Sequence, residues 1–283
     1  MVKVSVLMPV YKTKEEYLRE AISSILNQTL TDFEFLILDD CPADDREKIV
    51  KLYQDKRIKY FKNEKNLGIS ASRNKLIDLA QGKFLAVFDH DDVALPNRLE
   101  VQVNFLEENP QIGVCGSAYE WMHKCKSRYN PQFSKQIEKA LMVGCAVHHP
   151  SAMIRKSVLD ENNVRYEPEY SPAEDYALWC RLIGKTQFYN MPEILVFYRK
   201  HSSQTSQTQK EKMKKSTKLI HKFVRDTHPN LWHEVCFNSP SIVRVRLFGL
   251  LPIAKFKYHG LTYNGFLKYV PFLSIKTKLV AVK

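Results

Sequence analysis

The chain has 283 residues, a formal net charge of +12 and 44% hydrophobic residues. This length suffices for one large domain or two joined domains, and the content of only 9 Gly and 13 Pro argues against a fibrous or disordered protein. The six cysteines form no Cys-x-x-Cys pair, which argues against a zinc site or a disulfide framework and favours a reducing cytoplasmic setting. We expect neither a signal peptide nor a membrane span, because no stretch approaches roughly 20 apolar residues.

Strands and helices alternate over the first 117 residues. Short apolar runs bounded by polar residues, Pro or Gly predict strands at 4–8, 33–38, 58–61, 84–88 and 112–116. Apolar residues at helical spacing predict helices at 18–26, 49–53, 76–80 and 99–106. The alternation predicts a parallel α/β sheet, in which the loops that follow the strands gather at one edge.

Shorter and more mixed segments follow. We expect strands at 152–154 and 194–198 and a helix at 175–183. These segments are predicted to extend the sheet and to shape the second half of a cleft. A basic helix is predicted at 210–225.

Positive charge is concentrated at the end of the sequence. Residues 241–283 contain eight Lys and Arg residues and no Asp or Glu, so they carry +8 of the total +12. Two stretches, 247–258 and 266–276, interleave aromatic and aliphatic residues with lysine, which suits an anionic membrane surface. Packing on the rest of the protein and nucleic-acid binding are the alternatives, but no nucleic-acid motif accompanies the charge, so we expect no nucleic-acid partner.

Three carboxylates follow the predicted strand at 84–88, namely Asp89, Asp91 and Asp92. They repel one another unless hydrogen bonds or a cation offset their charge. Asp89 and Asp91 could share one hard divalent ion, Mn2+ or Mg2+, which usually reaches protein sites together with phosphate. The alternative is that Asp91 or Asp92 caps a helix that starts near Pro96. The glycine loops that bind nucleotides are absent, and a divalent ion would neutralise a diphosphate in their place.

Five ordered segments together carry a family resemblance: VSVLMPVY at 4–11, SSILNQT at 23–29, FLILDD at 35–40, NLG at 66–68 with SRN at 72–74, and DHDD at 89–92. The chain resembles a family 2 glycosyltransferase of the GT-A fold, of the type that builds bacterial lipopolysaccharide or capsule, over about residues 3–205. The resemblance implies a catalytic domain at 1–205, with a nucleotide-sugar-binding half at 1–117 and an acceptor half at 118–205. A basic, helical, membrane-associating extension would follow at 206–283.

The resemblance assigns nucleotide-sugar-binding roles to the first half. Pro9 and Tyr11 would line the pocket for the base, and Asp40 would accept the N3 proton of uracil. Glu15 would bind the nucleotide, although a helix-start carboxylate is an equal alternative. Arg73 would lie near the base or the phosphates, with an ordinary surface role as the alternative.

The metal and the diphosphate are likewise assigned by resemblance. Asp91 would contact the metal directly, Asp89 would bind ribose or share the metal, and Asp92 would support them. His201, in the segment Tyr-Arg-Lys-His, would approach the metal or the diphosphate, although a lone histidine is as often structural.

In the second half, Glu174 and Asp175 match the Glu-Asp motif that opens an acceptor-side helix. Asp175 would be the general base, with attraction to the helix dipole as the alternative for both carboxylates. His149 is assigned to the acceptor side. Trp121 and Trp179 could offer a flat face to a sugar, but core packing is the more common role for such residues.

Two positions depart from the family pattern in the region of the base pocket. Lys12 stands where the family commonly has Asn, and Cys41-Pro42 replaces the usual Gly-Ser after the paired Asp residues.

The predicted function is therefore an inverting, metal-dependent transfer of a hexose or N-acetylhexosamine from a UDP-sugar to a saccharide or lipid-linked glycan acceptor. The protein would be peripheral at the inner face of the cell membrane. The alternatives are a non-catalytic nucleotide-sugar-binding partner subunit and a sugar nucleotidyltransferase. The identity of the donor sugar and of the acceptor lies in loops at about 119–171, which no sequence rule interprets.

Overall fold

The computed structural model describes residues 2–238, 243–247 and 251–256. The basic stretch 266–276 and part of the stretch 247–258 lie outside the described residues. The membrane contacts predicted for these stretches therefore stay a prediction. The chain divides into two units, Met1–Phe223 and Val224–Lys283, and the catalytic residues predicted above all fall in the first.

The first half of the larger unit forms the predicted alternation of strands and helices. All five strands predicted from apolar runs are present, the first four in this half. The elements are β1 (Val4–Val10), α1 (Glu15–Leu26), β2 (Phe33–Asp39), α2 (Glu47–Lys51), β3 (Ile58–Lys62), α3 (Ile69–Leu79) and β4 (Phe84–Val87).

In the second half, the strands predicted at 112–116 and 194–198 are longer than expected, and the first of them continues into a hairpin. It contains β5 (Val93–Ala94), α4 (Arg98–Glu108), β6 (Ile112–Trp121), β7 (Lys126–Arg128), α5 (Ser134–Leu141), β8 (Met153–Arg155), α6 (Lys156–Glu161), α7 (Glu174–Arg181) and β9 (Gln187–Tyr198). Two short 3-10 turns, His149–Ser151 and Pro168–Tyr170, precede β8 and α7.

The sheet is mixed: the five strands predicted in the alternating half run in one direction, as predicted, and β8 of the second half runs against them. Its strand order is β3-β2-β1-β4-β8-β6-β9-β5, with β7 paired to β6. The first four strands are parallel, as are β6 and β9, but β8 runs antiparallel between β4 and β6. Parallel neighbours need a crossover of a dozen or more residues. The alternation of strands and helices that supplies such crossovers stops after β6, so the later strands need not follow the parallel pattern.

The core lies on both faces of the central strands. Every residue of β1 and β2 is buried, as expected for strands covered on both sides by helices. Leu18 and Ile22 of α1 and Leu99 and Val103 of α4 are fully buried against the sheet. The apolar residues that recur at helical spacing in the sequence thus form the helix faces that cover the strands.

The extension after residue 205 is helical at first. It contains α8 (Thr205–Thr208), α9 (Lys210–Thr227), α10 (Pro229–His233) and a single π-helical turn, Glu234–Asn238. Two strands, β10 (Val243–Leu247) and β11 (Leu251–Phe256), then pair antiparallel, where the sequence predicted helix. Within the larger unit, the start of α9 packs on the segment that precedes α7, because Ser216 Oγ donates to the Ser171 carbonyl at 3.0 Å. None of the helices in the described part of the chain is long and apolar enough to span a membrane.

The register of β1 with its two parallel neighbours aligns the ends of three strands. Val10 pairs with Asp39, and Leu7 pairs with Val87. The residues that follow β1, β2 and β4 therefore lie together at one edge of the sheet, which is the edge predicted to carry the site.

Gly82 holds the entry to β4 against the first strand. Its N–H donates to Ser5 Oγ at 2.8 Å. A Cβ at this position would lie 2.5 Å from the Ser5 nitrogen and 2.7 Å from the Val4 carbonyl carbon. Only a residue without a side chain fits there unless the backbone moves.

We expect Gly82→Ala to lower the free energy of unfolding by about 1–3 kcal/mol, because two backbone segments must separate. Gly144→Ala is the matched control: a Cβ there meets nothing within 4 Å, so the change should stay within about 0.5 kcal/mol. Urea unfolding measures both. Equal stability of the two variants would contradict the close packing of β4 on β1.

Candidate active site

Asp40 anchors the loop that leads into α3. Its buried carboxylate accepts hydrogen bonds at 2.8 Å from Asn63 Nδ2, the Leu67 N–H and the Gly68 N–H. Oδ2 accepts one of these three bonds, from Gly68, so this oxygen retains a lone pair for a further donor. The Asp40 carboxylate thus has a structural role that the sequence did not predict. It still has a lone pair free for the predicted hydrogen bond to uracil.

The residues assigned to the base pocket surround the end of β1. Pro9 is buried within the strand, whereas the Tyr11 side chain is 44% exposed and available for stacking. Lys12 has φ +46° and its Nζ lies 5.3 Å from the Tyr11 ring centroid. This left-handed backbone is one that Asn adopts more readily than Lys.

Glu15 takes the position that the helix-start alternative described. It is the first residue of α1, and its carboxylate pairs with Arg19 Nη2 one turn later at 2.6 Å. The Glu15 side chain is 56% exposed and the Arg19 side chain 39%. The geometry therefore favours the helix-start role over nucleotide binding.

The three carboxylates after β4 have separate environments. Asp89 Oδ1 accepts from Arg73 Nη2 at 3.2 Å, and burial raises the pKa of Asp89 although Arg73 opposes the shift. Asp92 is fully buried, and its Oδ1 accepts the Arg199 N–H at 2.9 Å. Burial, with the added negative charges of Asp91 and Asp89, raises the pKa of Asp92 well above its usual range. Asp92 is thus a structural carboxyl group that supports the end of β9.

The helix-capping alternative for these carboxylates is wrong. The next helix, α4, begins at Arg98, and its N-cap residue Asn97 makes no side-chain capping hydrogen bond. Asp91 instead faces His201: Oδ2 lies 2.8 Å from His201 Nε2. Burial raises the pKa of Asp91, but the hydrogen bond to His201 and the electrostatic attraction of His90 and His201 together outweigh it, so the pKa is lowered.

The Asp91–His201 pair fits a divalent ion. Two ligand atoms at about 2.1 Å from an octahedral ion lie about 3 Å apart, close to the 2.8 Å between Asp91 Oδ2 and His201 Nε2. The described residues contain no group of three or more His, Cys, Asp or Glu side chains arranged to hold a metal. Mg2+ needs only one or two protein carboxylates when substrate phosphates supply other ligands, so this pair is compatible with metal binding shared with a substrate.

Arg73 joins the two halves of the site. Its guanidinium donates from Nη1 to Glu174 Oε1 at 2.5 Å and from Nη2 to Asp89 at 3.2 Å, and it lies 5.4 Å from the Tyr166 ring centroid. Burial lowers the pKa of Arg73, but the two carboxylates outweigh it and raise the pKa. The surface alternative for this arginine is therefore wrong, because the side chain is buried between opposite charges.

Asp175 follows Glu174 in the first turn of α7. Its Oδ1 accepts the Tyr176 N–H at 2.7 Å. Burial and the neighbouring Glu174 charge raise the pKa of Asp175 to about 6. The helix dipole alone would lower the pKa of a first-turn carboxylate, so its effect is not the dominant one here. A carboxylate of this pKa is suited to accept a proton near neutral pH.

The two adjacent histidines diverge. His149 Nε2 lies 2.9 Å from the Tyr166 hydroxyl, and its Nδ1 lies 4.0 Å from Asp89 Oδ1. Burial lowers the pKa of His149 well below its usual value, so it is neutral. His148 stacks on Tyr119 with a ring-centroid distance of 3.7 Å. Only His149 therefore approaches the carboxylates.

The two tryptophans also have different surroundings. Trp179 is fully buried and belongs to the core, as the more common reading of the sequence predicted. Trp121 is half-buried and has lysine and arginine side chains around its ring.

Two residues at the site were missed. Arg199 donates from Nε to the Asp91 carbonyl at 2.8 Å, pairs with Glu20 and lies 4.2 Å from the Tyr17 ring centroid. It stands inside the Tyr-Arg-Lys-His segment, which could have identified it. Tyr166 lies between His149 and Arg73, and no sequence pattern marked it.

We expect Asp40→Asn to lower the free energy of unfolding by about 1–3 kcal/mol even without ligand. An amide has one acceptor oxygen, so at least one of the donors from Asn63, Leu67 and Gly68 loses its partner. Asp32→Asn, at an exposed carboxylate, is the control and should be neutral. Denaturant unfolding distinguishes them. An unchanged midpoint for Asp40→Asn would show that the carboxylate does not hold the loop.

Comparison with known proteins identifies the family. The model for Glycosyl transferase family 2 matches residues 5–162. An uncharacterized glycosyltransferase of Methanocaldococcus jannaschii is 38% identical over 208 residues, which cover 69% of this chain and 70% of that protein. The UDP-Glc:alpha-D-GlcNAc-diphosphoundecaprenol beta-1,3-glucosyltransferase WfgD of Escherichia coli is 26% identical over 235 residues, which cover 81% of this chain and 90% of WfgD.

Solved structures match the fold. S. aureus TarS in complex with UDP-GlcNAc has a TM-score of 0.68 at 21% identity, over 82% of this chain and 71% of TarS. The mannosyltransferase PcManGT of Pyrobaculum calidifontis, in complex with GDP-Man and Mn2+, has a TM-score of 0.60 at 15% identity, over 82% of this chain and 69% of that one. The chain belongs to glycosyltransferase family 2 and has the GT-A fold.

Proposed function

We propose that the protein transfers a hexose or N-acetylhexosamine from a UDP-sugar to a saccharide on a lipid-linked glycan, with inversion at the anomeric carbon and with Mn2+ or Mg2+ as cofactor. The observation that carries this proposal is the arrangement around Arg73. This one buried cation connects Asp89, beside the donor carboxylates, to Glu174, beside Asp175. A donor site and a candidate base are thereby held in one cluster.

The choice of a uridine donor rests on Asp40 and on two relatives. The remaining lone pair on Oδ2 can accept the N3 proton of uracil, which cytosine lacks. WfgD is named for UDP-Glc, and TarS has been solved with UDP-GlcNAc. PcManGT was solved with GDP-Man, so the fold by itself does not select the base.

The proposed metal ligands are Asp91 and His201, with Asp89 available through its second oxygen. A bound Mn2+ or Mg2+ would neutralise charge on the diphosphate leaving group. The complex of PcManGT with Mn2+ provides a precedent for a metal in this fold. The chain's own part is to hold Asp91, whose backbone carbonyl accepts a hydrogen bond from Arg199 Nε at 2.8 Å, while His201 Nε2 would exchange its hydrogen bond to the Asp91 carboxylate for the metal.

Asp175 is the proposed base for the acceptor. Its carboxylate would take the proton of an acceptor hydroxyl while the hydroxyl oxygen forms the new bond to the anomeric carbon. The bond from that carbon to the UDP oxygen breaks on the opposite side, so a single displacement inverts the centre. The pKa of about 6 keeps Asp175 deprotonated at neutral pH and basic enough to assist.

The proposed location is the inner face of the cell membrane. WfgD is named for a diphosphoundecaprenol acceptor, which is a membrane lipid, and residues 241–283 of this chain carry eight basic residues and no acidic ones. Each such residue near an anionic surface adds up to about 1 kcal/mol of attraction.

The donor and the metal are tested together by incubating the protein and Mn2+ with UDP-Glc, UDP-Gal, UDP-GlcNAc and UDP-GalNAc. We expect UDP release from at least one of them, loss of release on chelation, and restoration by added Mn2+. Asp91→Asn should raise the half-saturating Mn2+ concentration by about tenfold or more, because one ligand charge is lost.

Asp32→Asn is the charge-matched control and should respond to Mn2+ like the wild type. Sugar phosphate with UTP is the control reaction, since pyrophosphate release from it would indicate a nucleotidyltransferase. Full activity of Asp91→Asn in the presence of a chelator would exclude the metal.

For the base, Asp175→Asn should bind UDP as the wild type does but lose turnover by about 10²- to 10⁴-fold. In the wild type, the rate should fall about tenfold per pH unit below about pH 6, because the protonated carboxyl group cannot accept a proton, and should level off above it. Steady-state rates across pH measure both effects.

Glu161→Gln, which removes an exposed carboxylate, is the control and should keep the wild-type pH profile. Near-normal turnover of Asp175→Asn would remove Asp175 as the base.

A further inference from the structure

Four cationic side chains surround Trp121 at the end of β6. Their distances from the Trp121 ring centroid are 5.9 Å for Lys124 Nζ, 5.4 Å for Lys126 Nζ, 5.3 Å for the Arg128 guanidinium carbon and 5.3 Å for Lys200 Nζ. We call these five residues the Trp121 cluster. The ring attracts each cation, but the cations repel one another because they share one small region.

Strand pairing places the positive charge on one face. Trp121 is opposite Lys126 and Tyr119 is opposite Arg128 in the β6–β7 ladder, so these side chains share a face. The intervening pair, Glu120 and Ser127, belongs to the other face, where Ser127 Oγ donates to Glu120 Oε2 at 3.1 Å. The nearest carboxylate on this hairpin is thus directed away from the Trp121 cluster.

The four cations lack carboxylate partners within the described part of the chain. None of the salt bridges there includes Lys124, Lys126, Arg128 or Lys200, and all four residues are exposed. Some exposed lysines elsewhere do have such partners: Lys48 binds Asp45 at 2.6 Å and Lys51 binds Glu47 at 2.7 Å. The Trp121 cluster is therefore a concentration of positive charge that the described protein does not neutralise.

The Trp121 cluster adjoins the donor site. Tyr198 is opposite Trp121 in the β6–β9 ladder, and Lys200 follows two residues later. The residues on either side of Lys200 both bind Asp91: Arg199 donates to its carbonyl, and His201 contacts its carboxylate. A group bound by the Trp121 cluster would thus lie beside the donor carboxylates, on the acceptor half of the sheet.

We propose that the Trp121 cluster binds the phosphate groups of the acceptor, which rests on the proposed transfer to a phosphate-linked glycan. Arg128 can bind phosphate oxygens through two N–H groups, and the three lysines supply further charge. All four cations lie within 5.9 Å of one ring centroid, so they form one compact cluster rather than a charged surface spread over the hairpin. The sugar attached to that group would then extend towards the donor site.

The test is equilibrium binding of inorganic pyrophosphate to the full chain in metal-free buffer without UDP, in which the carboxylates of the donor site repel the anion. The variant Lys126→Gln/Arg128→Gln removes two charges from the Trp121 cluster. The control Lys135→Gln/Lys185→Gln removes two exposed charges from the acceptor half outside it. We expect pyrophosphate binding to weaken about tenfold or more in the first variant and to stay unchanged in the second.

Equal weakening in both variants, or in neither, would overturn the proposal. Sedimentation with phosphatidylcholine vesicles, with and without phosphatidylglycerol, distinguishes the source of the phosphate. If Lys126→Gln/Arg128→Gln loses vesicle binding but keeps pyrophosphate binding, the occupant is the membrane surface and the acceptor proposal is wrong. Failure of the wild type to bind UDP in a separate titration would count against the proposed function alone, because the pyrophosphate comparison of the two variants does not depend on UDP binding.

Discussion

The structure depends on one buried arginine. Arg73 is largely removed from solvent and is paired on one side with Asp89 and on the other with Glu174. A buried charge without a partner costs several kcal/mol, so the two carboxylates and the helix and loop that carry them are held at a fixed separation. Because Glu174 and Asp175 are neighbours on α7, the same pairing positions the candidate base relative to the donor carboxylates.

The pKa values at the site are set by several carboxylates that lie close together in a buried space and repel one another. Burial raises the pKa of Asp89, Asp92 and Asp175, and neighbouring negative charges add to each shift. Asp91 is the exception, because its hydrogen bond to His201 lowers its pKa. Asp91 therefore keeps its negative charge at the position where a cation is proposed to bind. Asp92 instead has a structural role, because it accepts a hydrogen bond from the Arg199 N–H.

Much of the site could be predicted because its residues follow strands in short, ordered motifs. The segments around Asp40 and Asp89 follow β2 and β4, so the sequence predicted that these carboxylates lie at the same edge of the sheet. The partners of these residues were not predictable. Asp40 holds a loop through Asn63, and Arg73 reaches Glu174 across 101 residues of sequence. No local pattern records which distant side chain completes a buried ion pair.

The sequence by itself determined the five strands of the alternating half, the helices between them and the family, because apolar runs and motif order are properties of neighbouring residues. Only the tertiary structure decided the rest. It inserted β8 antiparallel between β4 and β6, and it brought Lys200 to the Trp121 cluster formed by the β6–β7 hairpin. Strand order and charge clustering depend on contacts between residues far apart in the chain, and such contacts are fixed only when the whole core packs.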